Sequence, residues 1–304
     1  MDFGEVLEEI AAEAPQQVGR GKVASYIPAL AGVSPEKFGM AIHTVDGVTF
    51  SVGDAGEPFS IQSISKVFSL MLAMRIVGDD LWSRVGREPS GNAFNSLVQL
   101  EYEQGIPRNP FINAGALVVI DALVSVLQEA KICFLEFARG LADDPGVNFD
   151  EVVSQSEDTH GHVNRALVNF LKAYGNIRTD IDTVLDAYFH HCSLAMNCAQ
   201  LAHAFLPLAN NGVSISTEDS VLTALQARQV NSLMLTCGLY DAVGEFAYRV
   251  GLPAKSGVGG GIVAVVPGEM TIAVWAPELD ETGNSVMGTR ALELFSQITQ
   301  RSIF

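Results

Sequence analysis

Hydrophobic and polar positions change rhythm three times along the chain. Near its start Phe3, Val6, Leu7 and Ile10 recur at helical spacing, and Pro15 ends that run. Gly21 to Pro28 reads as a loop and short turn. Phe38 to Thr44 and Val48 to Val52 are then rich in strand-forming residues, and the Val45-Asp46-Gly47 junction between them signals a hairpin. Asp54 to Pro58 turns the chain into its most apolar stretch. From Ile64 onward Val67, Phe68, Leu70, Met71, Leu72 and Met74 cover nearly every side of a helical wheel, which predicts a helix buried in the centre of a domain. The pattern stays mostly helical to about Leu252. It is broken at Gly78-Asp79-Asp80, by loops around Arg87 to Asn92 and Gly105 to Pro110, and at Asp143 to Gly146. Helices are predicted from Asn113 to about Leu127, over Val163 to Tyr174, over Asp182 to Phe189 and over about Thr223 to Thr236, the last capped by Gly238. Finally Ile262 to Val266, a Pro267-Gly268 turn and Met270 to Trp275 make a second hairpin. Ala291, Leu294, Phe295 and Ile298 stripe a closing helix.

Strands at both ends with a helical middle predict an α+β fold. One antiparallel sheet would come from residues 1–62 plus 253–304 and be flanked by helices, with residues 63–252 inserted as a mostly helical subdomain. The 304 residues, 48% hydrophobic and 17% charged, suit an ordinary globular enzyme. A formal net charge of −17 with no basic run argues against nucleic acid and anionic membranes as partners. No stretch is long and apolar enough to span a bilayer, since Lys66 and Arg75 interrupt even the central helix. The opening Met-Asp-Phe-Gly-Glu lacks the basic start and apolar core of a secretion signal. Cys133, Cys192, Cys198 and Cys237 show no metal or redox spacing and sit among apolar neighbours, so they read as reduced core thiols of a cytoplasmic protein.

Chemistry enters with the one charge in the first turns of the central helix. Lys66 lies three residues after Ser63, on the same face. Burial of a lone ammonium pushes its pKa toward neutrality, and such a lysine can take the proton of a neighbouring hydroxyl. A Ser-x-x-Lys spacing is expected by chance about once in a chain of this composition and length. A second copy, Ser34-Pro35-Glu36-Lys37, lies in a polar turn, where Ser34 reads as a cap and Lys37 as solvated. The buried context distinguishes the first.

Lys255-Ser256-Gly257, just before the second hairpin, pairs with Ser63-x-x-Lys66 as in the serine β-lactamases and penicillin-binding proteins. Their Ser-Asp-Asn element is missing. Three longer strings, Phe59 to Lys66, Asn109 to Ala116 and Leu252 to Gly261, closely resemble the serine-dependent glutaminase family. The resemblance runs from Gly21 to the last helix and is to the short bacterial form. It implies a β-lactamase/transpeptidase-like fold and hydrolysis of L-glutamine to L-glutamate and ammonia through an acyl-enzyme. It also implies a homodimer or homotetramer; no cofactor is expected, and no metal, because no Cys/His spacing supports zinc. By the same resemblance Ser63 is the nucleophile, Lys66 its proton acceptor and Tyr240 a proton-transfer tyrosine. The N–H groups of Ser63 and Val258 form the oxyanion hole. Tyr26, Gln62, Asn113, Glu157, Asn164 and Tyr188 hold the substrate or line its pocket, and Lys255 and Ser256 stand behind the reacting groups.

Residue chemistry agrees with these assignments in part. A helix start offers unpaired N–H groups to developing negative charge. A Gly-rich segment around Val258 lets backbone approach a ligand. Glu157 and Asn164, seven residues apart, fall on one face if a helix runs through Gly161. A carboxylate and an amide there would clamp the two ends of a zwitterion. On composition alone Glu157 is one acid among 35 and reads as a surface residue; Asn113 and Asn164 read as caps, and the tyrosines as half-buried packing. A Tyr240 between Lys66 and Lys255 is expected to have its pKa lowered by two positive neighbours. His160-x-His162 and His190-His191 lack zinc spacing and read as surface or core histidines. The competing readings are a penicillin-recognising acylase or β-lactamase, and a catalytically silent binding domain on the same fold.

Overall fold

The computed structural model describes residues 1–91 and 96–304. Its centre is a five-stranded antiparallel sheet in which the two ends of the chain lie side by side. In spatial order the strands are Thr49–Gly53, Gly39–Thr44, Met270–Trp275, Gly261–Val266 and Ala254–Ser256. Both predicted hairpins form. Gly39 pairs with Gly53 and His43 with Thr49 in the first, where Gly47 takes φ 84°. Val266 pairs with Met270 in the second, where Gly268 takes φ 83°. Only a residue without Cβ adopts those turn angles readily. The joining contact between the chain ends is Gly39–Thr44 against Met270–Trp275, with Ala41 opposite Ala273.

Strand periodicity divides the core into two layers. Ile262, Ala264, Val266, Ile272 and Val274 face one way, together with Met40 and Ile42. They pack against the terminal helices Phe3–Ala11 and Val286–Thr299, through Leu7, Ile10, Ala291 and Phe295. Val263, Val265, Ala273 and Trp275 face the helical layer, which Cys198–Ala209 and the central helix Ser65–Ile76 lead. Ten consecutive residues of that helix, Ser65 to Met74, are buried, as an all-apolar wheel requires. This mixed helix and antiparallel-sheet arrangement agrees with the α+β reading.

Glu157 and Asn164 stand on two successive helices, Glu151–His160 and His162–Ala173, and at Gly161 between them a Cβ would lie 2.6 Å from the Phe189 ring and from Glu157 O. Gly238 caps the Ala224–Cys237 helix as expected, its N–H donating to Met234 O, with φ −78° rather than a left-handed angle. It is glycine because a Cβ there would meet Ala254 O at 1.8 Å, where the helix end abuts the sheet edge. Cys192, Cys198 and Cys237 are buried thiols, while Cys133 is half-buried. Of the loop expected over Arg87 to Asn92, Asn92 lies outside the described residues. Lys37 pairs with Asp54 and Glu57, so it is less solvated than its turn suggested.

Helix Asn113–Val124, which carries Asn113 at its first position, is anchored by the fully buried Asp121. That carboxylate takes hydrogen bonds from Arg84, from Arg178 N at 3.1 Å and from Thr179 N at 2.8 Å. Asp121→Ala leaves the Arg84 guanidinium buried without its counter-ion, and a urea unfolding curve is expected to show a loss of about 3–5 kcal/mol.

Candidate active site

A short strand, Phe59–Ser60, delivers the chain to the site. It pairs with Leu194–Met196, and Ile61 N donates to Leu194 O at 2.9 Å. Gln62 then takes φ 50°, a left-handed angle uncommon for a residue with a side chain, and starts the 3₁₀ turn Gln62–Ile64 ahead of the central helix. Ser63 sits within that turn. Tyr240 also takes a left-handed angle, φ 52°. Such angles cost of order 1–3 kcal/mol and persist where surrounding structure enforces them, most often at functional sites.

The Gly-rich segment 257–261 lies against the same turn. A Cβ on Gly257 would meet Ile61 O at 2.3 Å, and one on Gly259 would meet Ser60 O at 2.2 Å. Only glycine permits this approach. Trp275 pins the arrangement: its ring stacks on Phe59 at 5.0 Å and its Nε1 donates to Gly259 O at 3.0 Å. Between the two glycines, Val258 is buried, and its N–H has no hydrogen-bond partner among the described residues.

Ser63, Gln62, Tyr240 and Val258 form one wall of a cavity of about 300 Å³. Asn113, Glu157, Asn164 and Tyr188 line it from the helical layer, and Tyr26 from the irregular segment before the first hairpin. Every residue expected to touch substrate is therefore at one cavity; Lys66, Lys255 and Ser256 are buried and do not line it. Ile27, His160, Gly161, Val163 and Cys192 also line it, and none had been singled out for the pocket. Cys192 gave no signal because a thiol on an apolar helix looks like core. Among the described residues no group of three or more acidic, His or Cys side chains is arranged to hold a metal.

The Lys66 ammonium, 3% exposed, donates to Asn113 Oδ1 at 2.6 Å and to Phe111 O at 3.2 Å. Burial lowers its pKa to about 8, against the opposing charge of Glu157. An ammonium only donates, so it fixes the Asn113 amide with Oδ1 inward. Asn113 Nδ2 then donates to Asn164 Oδ1 at 2.9 Å, which leaves the Asn164 amide's N–H groups without a partner among the described residues. Glu157, 8% exposed, is pushed up to about 7 by burial, while a hydrogen bond from Gln62 and the Lys66 charge pull the other way. The break at Gly161 does not separate Glu157 from Asn164: each reaches the cavity from its own helix.

Tyr240 departs from expectation. Its hydroxyl is enclosed, and burial raises its pKa to about 12 although hydrogen bonds with Ser63 and Ser256 lower it. The expected lowering by two lysine charges is absent because Lys255 is itself fully buried. Desolvation, reinforced by Lys66, holds that amine well below its usual range. Lys255 Nζ lies 4.6 Å above the Tyr240 ring and donates to Ser256 O at 2.6 Å. The phenol is thus held neutral rather than as a standing phenolate. Burial likewise raises the Cys192 thiol to about 12, which makes it inert as a nucleophile beside Ser63.

The family model for glutaminase matches residues 21–304. A glutaminase of Vibrio cholerae is 57% identical over 301 residues, covering 99% of this chain and 98% of that protein. The chain belongs to the glutaminase family. Like its relatives it is a hydrolase of glutamine. Among solved structures, a probable glutaminase, ybaS, superposes with a TM-score of 0.93 at 37% identity, over 100% of this chain and 99% of that one. A probable glutaminase from Bacillus subtilis, complexed with 6-diazo-5-oxo-L-norleucine, gives 0.89 at 32% identity, over 99% of this chain and 95% of that one. Among the described residues no helix is long and apolar enough to cross a membrane. For this glutaminase, Gly259→Ala forces the Gly-rich segment off Ser60 O and moves Val258 with it. A displacement of that size at a reacting centre lowers turnover about a hundredfold, which ammonia release beside an unchanged far-UV spectrum will check.

Proposed function

We propose that this glutaminase releases ammonia through an acyl-enzyme on Ser63. The observation that carries the reading is that Ser63, the Tyr240 hydroxyl that bonds it and a Val258 N–H without a partner among the described residues meet at one cavity, with Lys66 buried one helical turn from Ser63. L-Glutamine binds with its α-ammonium on Glu157 and its α-carboxylate on the Asn164 amide, helped by the Tyr26 and Tyr188 hydroxyls. Gln62 and Asn113 hold those groups in place. Lys66, neutral at the start, takes the Ser63 proton as Oγ bonds to the carboxamide carbon. The oxyanion that forms is met by the N–H groups of Ser63 and Val258, an interaction for which losing one donor costs about 3–4 kcal/mol. The proton on Lys66 passes through the Tyr240 hydroxyl to the departing nitrogen, the C–N bond breaks, and ammonia leaves. Water then follows the same route, and its attack releases L-glutamate and restores Ser63. The diazo ketone carried by the Bacillus subtilis protein's ligand replaces glutamine's carboxamide while keeping its amino-acid end, which supports a site that clamps the one and attacks the other.

Ser63→Ala is expected to abolish ammonia release from L-glutamine, and the wild type to show no opening of nitrocefin. Turnover by Ser63→Ala at the wild-type rate would refute the mechanism. Two groups must lose protons before glutamine binds and reacts: Glu157 near pH 7 and Lys66 near pH 8. Since activity needs both deprotonated forms, kcat/KM is full above pH 8 and falls as pH drops, steepening below 7. Glu157→Gln removes the lower ionisation and raises KM. A pH–rate profile of the two proteins checks both limbs.

A further inference from the structure

Ser60 stands two residues before Gln62, on the strand that leads into the site, and is 7% exposed. Its Oγ donates to Cys192 O at 3.0 Å. A hydroxyl has one hydrogen and a carbonyl can only accept, so toward any other neighbour Ser60 is an acceptor. That neighbour is Gln62 Nε2, at 3.0 Å. The amide orientation is fixed by this logic: the nitrogen end of Gln62, not the oxygen end, must face Ser60. The second hydrogen of Nε2 remains free to face the carboxylate of Glu157, which lines the same cavity and whose ionised form Gln62 favours. Gln62 is 2% exposed and has little access to water that could substitute for either partner.

We propose that Ser60 is a positioning residue for recognition of the substrate ammonium, acting through the Gln62 amide to present Glu157 as an acceptor of positive charge. The inference rests on the reading that Glu157 binds the α-ammonium of glutamine. Without Ser60 Oγ the amide loses the partner that sets its direction. Turned over, it puts Oε1 against the carboxylate, oxygen against oxygen. That arrangement favours the protonated acid, which has no charge to offer a substrate. The other groups facing Glu157 leave this logic intact. Lys66 from the central helix favours the carboxylate, Tyr188 and Cys192 from the Ile181–Cys192 helix and Tyr26 from its loop stay neutral, and His160 is one turn on along its own helix.

The test compares kcat, KM and their pH dependence for wild type, Ser60→Ala, Ser60→Cys, Glu157→Gln and the Ser60→Ala/Glu157→Gln double variant, with L-glutamine as substrate. Ser60→Ala raises KM about tenfold with kcat within about twofold, the scale of one hydrogen bond to a charged group. Its lower ionisation in kcat/KM moves to higher pH. Ser60→Cys keeps the volume but gives up a strong acceptor and shows the same pattern, which guards against misfolding of the alanine variant. The double variant matches Glu157→Gln alone, since with no carboxylate to orient toward, Ser60 has nothing further to contribute. The proposal is overturned if Ser60→Cys behaves as wild type, if the loss falls on kcat with KM unchanged, or if the two substitutions add. A Glu157→Gln variant with wild-type KM would instead remove the underlying reading of Glu157, so the two failures are told apart.

Discussion

An ammonium sealed inside an apolar helix is the constraint from which the site follows. Among the described residues Lys66 donates to two neutral oxygens, a carbonyl and an amide, and its helix is otherwise packed into the core. Desolvation brings its pKa to about 8, low enough for the amine to exist as a base in neutral to alkaline solution. The same donor-only charge sets the polarity of the groups around it. Asn113 must turn its oxygen to Lys66, so its nitrogen reaches Asn164, and Asn164 is left with donors suited to a carboxylate. The orientation of both amides is set by one charge.

The second requirement is that two distant parts of the chain meet without side chains between them. Residues 59–63 and 257–261 approach until no Cβ fits at Gly257 or Gly259, and the Phe59–Trp275 stack holds them there. This explains why the chain ends share a sheet. The strand pairing of Gly39–Thr44 with Met270–Trp275 forms a frame for the turn that carries Ser63. Asn113, Glu157, Asn164 and Tyr188 from the helices meet Ser63 and Val258 across one cavity, a common kind of place for small-molecule sites.

Much of this was legible in the sequence where chemistry and backbone rules coincide. Asp46-Gly47 and Pro267-Gly268 demand tight turns, so both hairpins could be read directly. Continuous apolarity around Val67 to Met74 could only mean burial, which made Lys66 conspicuous. Glu157 and Asn164 were legible only by resemblance, for a single acid on a polar helix carries no local signal, and the break at Gly161 depends on the distant Phe189 ring. The Tyr240 expectation failed because a sequence records the charges of Lys66 and Lys255 but not their dehydration, and dehydration dominates. Gly238 caps its helix as its place suggested, but what forbids a side chain there, Ala254 O, lies on a strand the local sequence does not reveal. Ser60 and Cys192 were invisible, since their roles lie in one hydrogen bond between segments 132 residues apart.

The central claim is a covalent glutamyl ester at Ser63. It is tested most directly by quenching the enzyme in acid within milliseconds of mixing with excess L-glutamine, then measuring intact mass and mapping peptides. The account predicts a population heavier by one glutamyl group, with the added mass on the peptide containing Ser63 and absent from Lys66→Met. A glutamyl group found instead on Cys192, or turnover at full rate with no enzyme-bound glutamyl group at any quench time, would contradict it.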